Sequence, residues 1–271
     1  MRWIRKPVIR DQDRCCFFVT YAPKGLIPPH SLFHARSWCE QGFKTVVIVV
    51  VDDLLAYAPG SELDFAHAVC IRSNQGYDFG AWAAVISQTP DIARLRLLAL
   101  ANDSVYGPFG KFPAMLRRAE EIDADVIGVT ESYQITHHLQ SYMLFFRQPA
   151  LRNPDFFKFW RGVKTGGREF VIQNYELKLM ARMQRMGLRT AVLFPLSEED
   201  CNPTLKYWRE LVQIGFPFIK AQLLRDNPAG ADLSGWETVV RAEGFDAQLI
   251  HDHLGARIPS NSSKPESGPV R

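Results

Sequence analysis

The sequence predicts an α/β protein: an open, mostly parallel twisted sheet flanked by helices. Three observations predict it. The runs CCFFVTY (15–21), TVVIVVV (45–51) and LRLLALA (95–101) are apolar or β-branched almost throughout, as strands buried on both faces are. Segments of helical period separate them, and that alternation requires crossover connections. Polarity also returns abruptly at run ends, at Asp52-Asp53, at Arg72 to Asp78 and at Asn102-Asp103-Ser104. Open α/β sheets take their ligands at the carboxyl ends of strands.

Taken in order, 15–21 is the first strand, followed by a loop with Pro23, Gly25, Pro28 and Pro29. Ser31 is a candidate cap for a helix over 32–41, closed by Gly42. The run 45–51 is the clearest strand. A short strand over 68–71 and a helix over 78–87 follow, the helix opening at Gly76-Tyr77. Strand 95–101 leads into Asn102. A helix over 112–121 and a strand over 125–129 come next. The apolar run 139–146 fits strand or helix. A helix is expected over 174–186, closed by Gly187, then a strand over 190–194. Past Pro195 the pattern turns helical, at 202–214, 218–224 and 236–243. The expected organisation is a sheet domain over 1–195, a helical extension over 196–257 and a polar, Ser- and Pro-rich tail over 258–271 that reads as disordered.

The 271 residues are 46% hydrophobic and 23% charged, with a net charge of +3. That is ordinary globular composition, and the charge is too small and too scattered to argue for a nucleic-acid partner. The five cysteines have no C-x-x-C spacing, so reduced, mostly buried thiols are expected. Residues 1–10 alternate basic and apolar types without the apolar stretch of a leader. The longest apolar run, 46–51, is far short of the ~20 residues of a spanning helix. The expected location is the cytoplasm. Arg2, Arg5, Lys6 and Arg10 beside Trp3 and Ile4 are compatible with loose contact at the inner membrane face, although four basic residues are few and a plain frayed terminus is the better reading.

A carboxylate at a strand end suits a divalent metal, which in turn neutralises a diphosphate. Asn102-Asp103-Ser104 fits that use and fits a plain turn as well. In 72–82 (RSNQGYDFGAW) Gly76 and Gly80 permit close backbone approach, and a helix start there favours an anion. Arg72 would face phosphate. Asp78 either contacts a sugar or base or caps the helix, and Trp82 reads as core. Adjacent His137 and His138 on a strand point to opposite faces, so one of them contacting substrate is a better reading than a metal pair. Glu131 ends the run VIGVT. Glu176, read as first-turn residue of the helix over 174–186, would stay ionised there and suits a general base. Lys220, in the aromatic stretch 216–228, is a lesser candidate for facing a diphosphate.

Together RSNQGYDFGAW (72–82), LLALANDSVYGPF (97–109), GVTES (128–132), HHLQSYMLFFR (137–147), YELKLMARMQRMG (175–187) and the segment 202–228 resemble the rhamnan synthesis protein F family, in order and spacing, from about residue 15 to 227. The resemblance implies a GT-A-type fold and a bacterial glycosyltransferase of cell-surface polysaccharide assembly, often a rhamnosyltransferase. By that analogy Asn102-Asp103-Ser104 stands in the place of a D-x-D motif, with Asp103 its single carboxylate and ligand for Mg²⁺ or Mn²⁺. Tyr21, Arg72, Asn74, Asp78, Asn102, Asp103, Ser104 and His138 would bind a nucleotide-sugar donor such as dTDP-rhamnose. Glu176 would be the base, with Glu131 as second candidate, and the acceptor a glycan or lipid-linked glycan. The competing expectation is a non-catalytic GT-A-like module that binds glycan or a partner transferase. There is no G-x-G-x-x-G after the first strand and no Walker motif to favour another nucleotide-binding class.

Overall fold

The computed structural model describes residues 1–255 apart from 56, 197 and 199; the tail expected over 258–271 lies outside them. The chain opens on an edge strand, β1 (Arg2–Arg5), antiparallel to β4 (Ala68–Ser73). The terminus is therefore not frayed. The Trp3 indole donates to Gln88, and the Arg2 and Arg5 guanidiniums donate to the Tyr57 and Leu63 carbonyls.

β2 (Arg14–Tyr21), β3 (Lys44–Val51), β4 and β5 (Leu97–Asn102) pair in parallel, in the order β4-β3-β2-β5. Their continuous apolar runs have the expected cause. Phe17, Val19, Ile48 and Val50 pack into the core on one face, while Cys16, Phe18, Val47 and Val49 pack into the core on the other, following the period of two along a strand. Beyond the short β6 (Val105–Tyr106), β7 (Val126–Ser132) and β8 (His138–Leu139) form an antiparallel pair. The ambiguous run 139–146 resolves as strand, ending in β9 (Met143–Arg147). Leu144 and Phe146 enter one core, Met143 and Phe145 the other, a division that only a period of two permits. β9 runs antiparallel between β5 and β7, and β10 (Thr190–Phe194) closes the far edge parallel to β7. The expected open, mostly parallel sheet is present, with antiparallel strands at β1, β8 and β9.

The helices depart from expectation in instructive ways. α1 (Pro29–Glu40) starts at its proline and carries Ser31 inside it, fully buried, rather than as a cap; proline suits a first helical turn because its missing N–H has no partner there anyway. α2 (Tyr77–Gln88) and α3 (Phe112–Glu121) match the expected segments closely. α4 (Gln148–Arg152) and α5 (Pro154–Arg161) had no counterpart in the sequence reading, which assigned no element between 146 and 174; Pro149 and Pro154 each sit in a first turn. α6 (Arg168–Val171), a π-helical turn (Ile172–Glu176) and α7 (Leu177–Arg185) follow one another without a break. Glu176 therefore lies mid-helix and not at a helix start, and the dipole argument for it falls.

In the C-terminal segment, 202–214 divides at Tyr207 into α8 (Pro203–Lys206) and α9 (Trp208–Gln213). The stretch 218–224 opens as strand β11 (Ile219–Lys220) before α10 (Ala221–Asp226). α11 (Trp236–Ala242) was expected, and α12 (Gln248–Gly255) was not. β11 pairs antiparallel with β6. A third apolar cluster joins Tyr106 and Phe109, from the loop after β5, to Trp208, Ile219, Val240, Phe245 and Ile250. This ties the helical segment to the carboxyl end of β5.

One core position works against stability. His34 is fully buried among Phe18, Trp38, Phe112 and Phe218, and neither ring nitrogen has a hydrogen-bond partner among the described residues. Burial pulls its pKa down to about 3. The unfolded chain takes up a proton near ~6.5 that the folded chain refuses, so this residue costs stability as pH falls from about 6.5 toward 3. His34→Leu removes two unsatisfied polar atoms and should stabilise by about 1 kcal/mol at pH 7.5, with a larger gain at pH 5. Urea unfolding at both pH values checks it; a variant less stable than wild type at pH 5 overturns this account.

Candidate functional site

A cleft of about 780 Å³ opens beyond the carboxyl ends of β2 and β5. Its walls include Tyr21 at the end of β2, Asn102, Asp103 and Ser104 at the end of β5, and Asp78 in the first turn of α2. His138 and Glu176 join them from the far side, and the C-terminal segment adds Lys220 and Arg225. Most of the residues singled out from the sequence thus meet on one surface, although they come from separate parts of the chain.

The turn after β5 is built by its own side chains. The Asn102 carbonyl oxygen accepts from the backbone N–H of Ser104 at 3.0 Å and from its hydroxyl at 2.6 Å. The Asn102 amide donates to the Asp78 carboxylate at 2.6 Å, which fixes α2 against β5. Asp78 therefore does not cap its helix. Gly76, in the left-handed region, precedes α2, and a Cβ at Gly80 would lie 2.4 Å from the Gln75 carbonyl oxygen, so only glycine lets the helix start this close to the loop. The Asp103 carboxylate oxygen Oδ2 accepts from the Thr20 hydroxyl and the Tyr21 N–H, both at 2.9 Å, and from the Ser31 hydroxyl at 3.4 Å. The Tyr21 hydroxyl donates to Asp52 at 2.9 Å.

Glu176 is half-buried and accepts from the Ser141 N–H at 3.3 Å. The His138 Nδ1–H donates to the Thr136 carbonyl at 2.7 Å, which fixes the orientation of the ring. Lys220 sits with its ammonium 4.6 Å from the centre of the Tyr142 ring. Burial pulls its pKa down, against the pull of Glu176 and Asp78. The Asp78 carboxyl is pushed up to about 7, first by burial, then by the negative charge of Asp103; the Asn102 hydrogen bond and Lys220 oppose the shift.

Arg72, Asn74 and Glu131 lie off the cleft wall. Arg72 is buried beneath the loop before α2 and donates to the Gln75 carbonyl at 2.7 Å, so it shapes that loop rather than facing phosphate. Asn74 lines a separate shallow hollow with Gly76 and Thr165. Glu131 pairs with His137 at 2.7 Å, and the His137 ring stacks on Tyr133. The sequence reading passed over Arg168 and Ser141, which also line the cleft. Arg168 lay in a stretch where no element was expected.

The donor set does not fit a divalent cation held by the protein alone. Asp103 spends Oδ2 on protein donors, Asn102 spends its carbonyl oxygen on Ser104, and among the described residues no group of three or more His, Cys, Asp or Glu side chains gathers to share an ion.

A family model described as rhamnan synthesis protein F matches residues 47–262. A virulence protein, VirA, of Vibrio anguillarum is 34% identical, the match covering 59% of this chain and 62% of VirA. An uncharacterized protein, y4gN, of Sinorhizobium fredii is 29% identical, covering 70% of this chain and 50% of y4gN. The chain thus spans less than two thirds of these relatives' lengths. Among solved structures, an inositol-1-phosphate CTP transferase from T. maritima aligns with a TM-score of 0.39 at 12% identity, over 70% of this chain and 88% of that one. A putative glucose-1-phosphate thymidylyltransferase from Bacillus anthracis aligns with a TM-score of 0.43 at 7% identity, over 68% and 87%.

Asp78 gives the site a pH signature. Its ordinary pKa is 3.8 and its folded value about 7. Between those values the folded chain keeps a proton that the unfolded chain has lost, so stability falls as pH rises through this window. Asp78→Asn keeps an acceptor oxygen for Asn102 and removes the titration. The variant should gain melting temperature over wild type at pH 8 and gain less at pH 5, by scanning calorimetry. An equal difference at both pH values rules out the buried carboxyl as its cause.

Proposed function

The chain belongs to the rhamnan synthesis protein F family, and from that premise we propose that it is a glycosyltransferase of polysaccharide synthesis. In this reading it moves a sugar from a nucleotide-sugar donor to a growing glycan. The observation that carries the reading is the cleft itself: Asp78, Asn102, Asp103, Ser104, His138 and Glu176 converge at the carboxyl ends of a parallel sheet, the position where such sheets bind nucleotides. The family's description favours a deoxyhexose donor such as dTDP-rhamnose. The acceptor is a glycan or lipid-linked glycan, met at the inner face of the cytoplasmic membrane by surface contact; no described helix is long and apolar enough to cross a membrane.

The chemistry asks for a base and for stabilisation of a leaving diphosphate. Glu176 takes the proton of the acceptor hydroxyl. The acceptor oxygen bonds to the anomeric carbon as the bond from that carbon to the phosphate oxygen breaks, and the nucleoside diphosphate leaves with the electron pair. The Ser141 N–H holds one Glu176 oxygen, which orients the carboxylate for in-line attack. Asp78 and the Asn102-Asp103-Ser104 turn contact the donor, and His138 contacts the sugar or the diphosphate. Glu131, already paired with His137, is the weaker base.

Glu176→Gln should lower turnover by about 10²-fold or more, the usual contribution of a general base, while Glu131→Gln changes it by less than about 3-fold on the same argument. Release of nucleoside diphosphate from a panel of nucleotide sugars, with and without glycan acceptor, measures both. If no nucleotide sugar binds or turns over, the enzyme reading falls and a glycan- or partner-binding module takes its place.

A further inference from the structure

Resting on the reading above, we propose that Lys220 supplies the positive charge that neutralises the donor's diphosphate, so that nucleotide binding does not depend on a divalent metal. The β6–β11 ladder pairs Lys220 with Val105, the residue directly after Ser104, and the Ala221 N–H donates to the Ser104 carbonyl at 2.9 Å. Backbone hydrogen bonds on both sides of Lys220 therefore lock its Cα against the Asn102-Asp103-Ser104 turn. Its side chain lines the cleft and is half-buried.

The cations around the cleft divide into two kinds. Arg225 pairs with Asp226, and Lys206 pairs with Glu198. The Lys220 ammonium has neither an ion pair nor a hydrogen bond among the described residues; it rests over the Tyr142 ring. Arg168 likewise has no ion pair among them; Glu176 and Asp78 attract the Lys220 charge, and Arg168 repels it more weakly. Burying an ammonium that no carboxylate contacts directly costs free energy that a bound anion recovers. A diphosphate meets that need, because its oxygens accept from an ammonium and a guanidinium together. Asp103 spends Oδ2 on protein donors and Asn102 spends its side-chain oxygen on Ser104, so the turn offers few ligand atoms for a metal cage, while Lys220 offers a phosphate a cation held by the protein itself. The surface lysines do not substitute, since among the described residues no other lysine is fixed to this turn by a strand ladder.

Titration calorimetry of the full chain with thymidine diphosphate and with uridine diphosphate tests this, in EDTA and in Mg²⁺ or Mn²⁺. At least one of the two should bind in EDTA with an affinity within about 3-fold of that in metal, comparable to removing a screened surface contact. Lys220→Gln should weaken binding by at least about 10-fold in both conditions, the scale of one lost charge-assisted contact, and Lys220→Arg should restore most of it. Binding seen only with metal, or a Lys220→Gln variant that binds like wild type, overturns the assignment while leaving the glycosyltransferase reading in place. The EDTA arm on wild type decides even if the Gln variant misfolds. Absence of binding in every condition overturns that reading and this inference together.

Discussion

The carboxylate of Asp103 is the constraint on which the site depends. One of its oxygens accepts from Thr20, from the Tyr21 backbone and from Ser31, so a single anion holds the ends of β2 and β5 and the first turns of α1 to one another. Hydrogen bonds to a charged acceptor are stronger than neutral ones, and here they are spent where the sheet stops and its backbone ladder can no longer hold the strands. Asn102 extends the same device sideways to Asp78 and α2. The resulting cleft has walls fixed on several elements before any ligand arrives, which is the preorganisation that transfer chemistry needs.

The C-terminal segment completes this wall rather than decorating the sheet. β11 pairs with β6, and the apolar cluster around Tyr106 and Trp208 seats the helices against that ladder. Behind it Gln140 donates to Asn202 and Thr204 while accepting from Thr130, a buried polar chain with its partners in place. Residues far apart in sequence are thereby held in one register, and the acidic sheet end acquires Lys220 from outside the sheet.

Much of this was legible in the sequence, for physical reasons that also explain the rest. The runs 15–21, 45–51 and 95–101 announced buried parallel strands because nothing but burial on both faces tolerates such continuity. Asn102-Asp103-Ser104 stood out because polarity returns at the residue where the sheet ends. Arg72 looked equally polar and equally well placed, yet it is buried under its own loop; direction of a long side chain is not encoded in spacing. Glu131 likewise ends a strand but turns to His137. The short helices at 148–152 and 154–161, each with a proline in its first turn, have too few turns to show a helical period, and with them went the stretch that carries Arg168.

Glu176 owes its position to a helix defect that no periodic reading detects. Val171, Tyr175, Leu179 and Met183 are all buried in the same core, at intervals of four. In an ideal α-helix each such step overshoots a full turn by about 40°, so over the whole set the apolar face would swing away from the sheet by about 120°. The π-helical turn at Ile172–Glu176 is wider, with its hydrogen bonds reaching one residue further, and it offsets the part of that overshoot that falls between Val171 and Tyr175. Tyr175 enters the core with the rest of that row, and Glu176, the next residue, accepts from the Ser141 N–H at the cleft. The wider turn thus carries a core aromatic and a cleft carboxylate on adjacent residues.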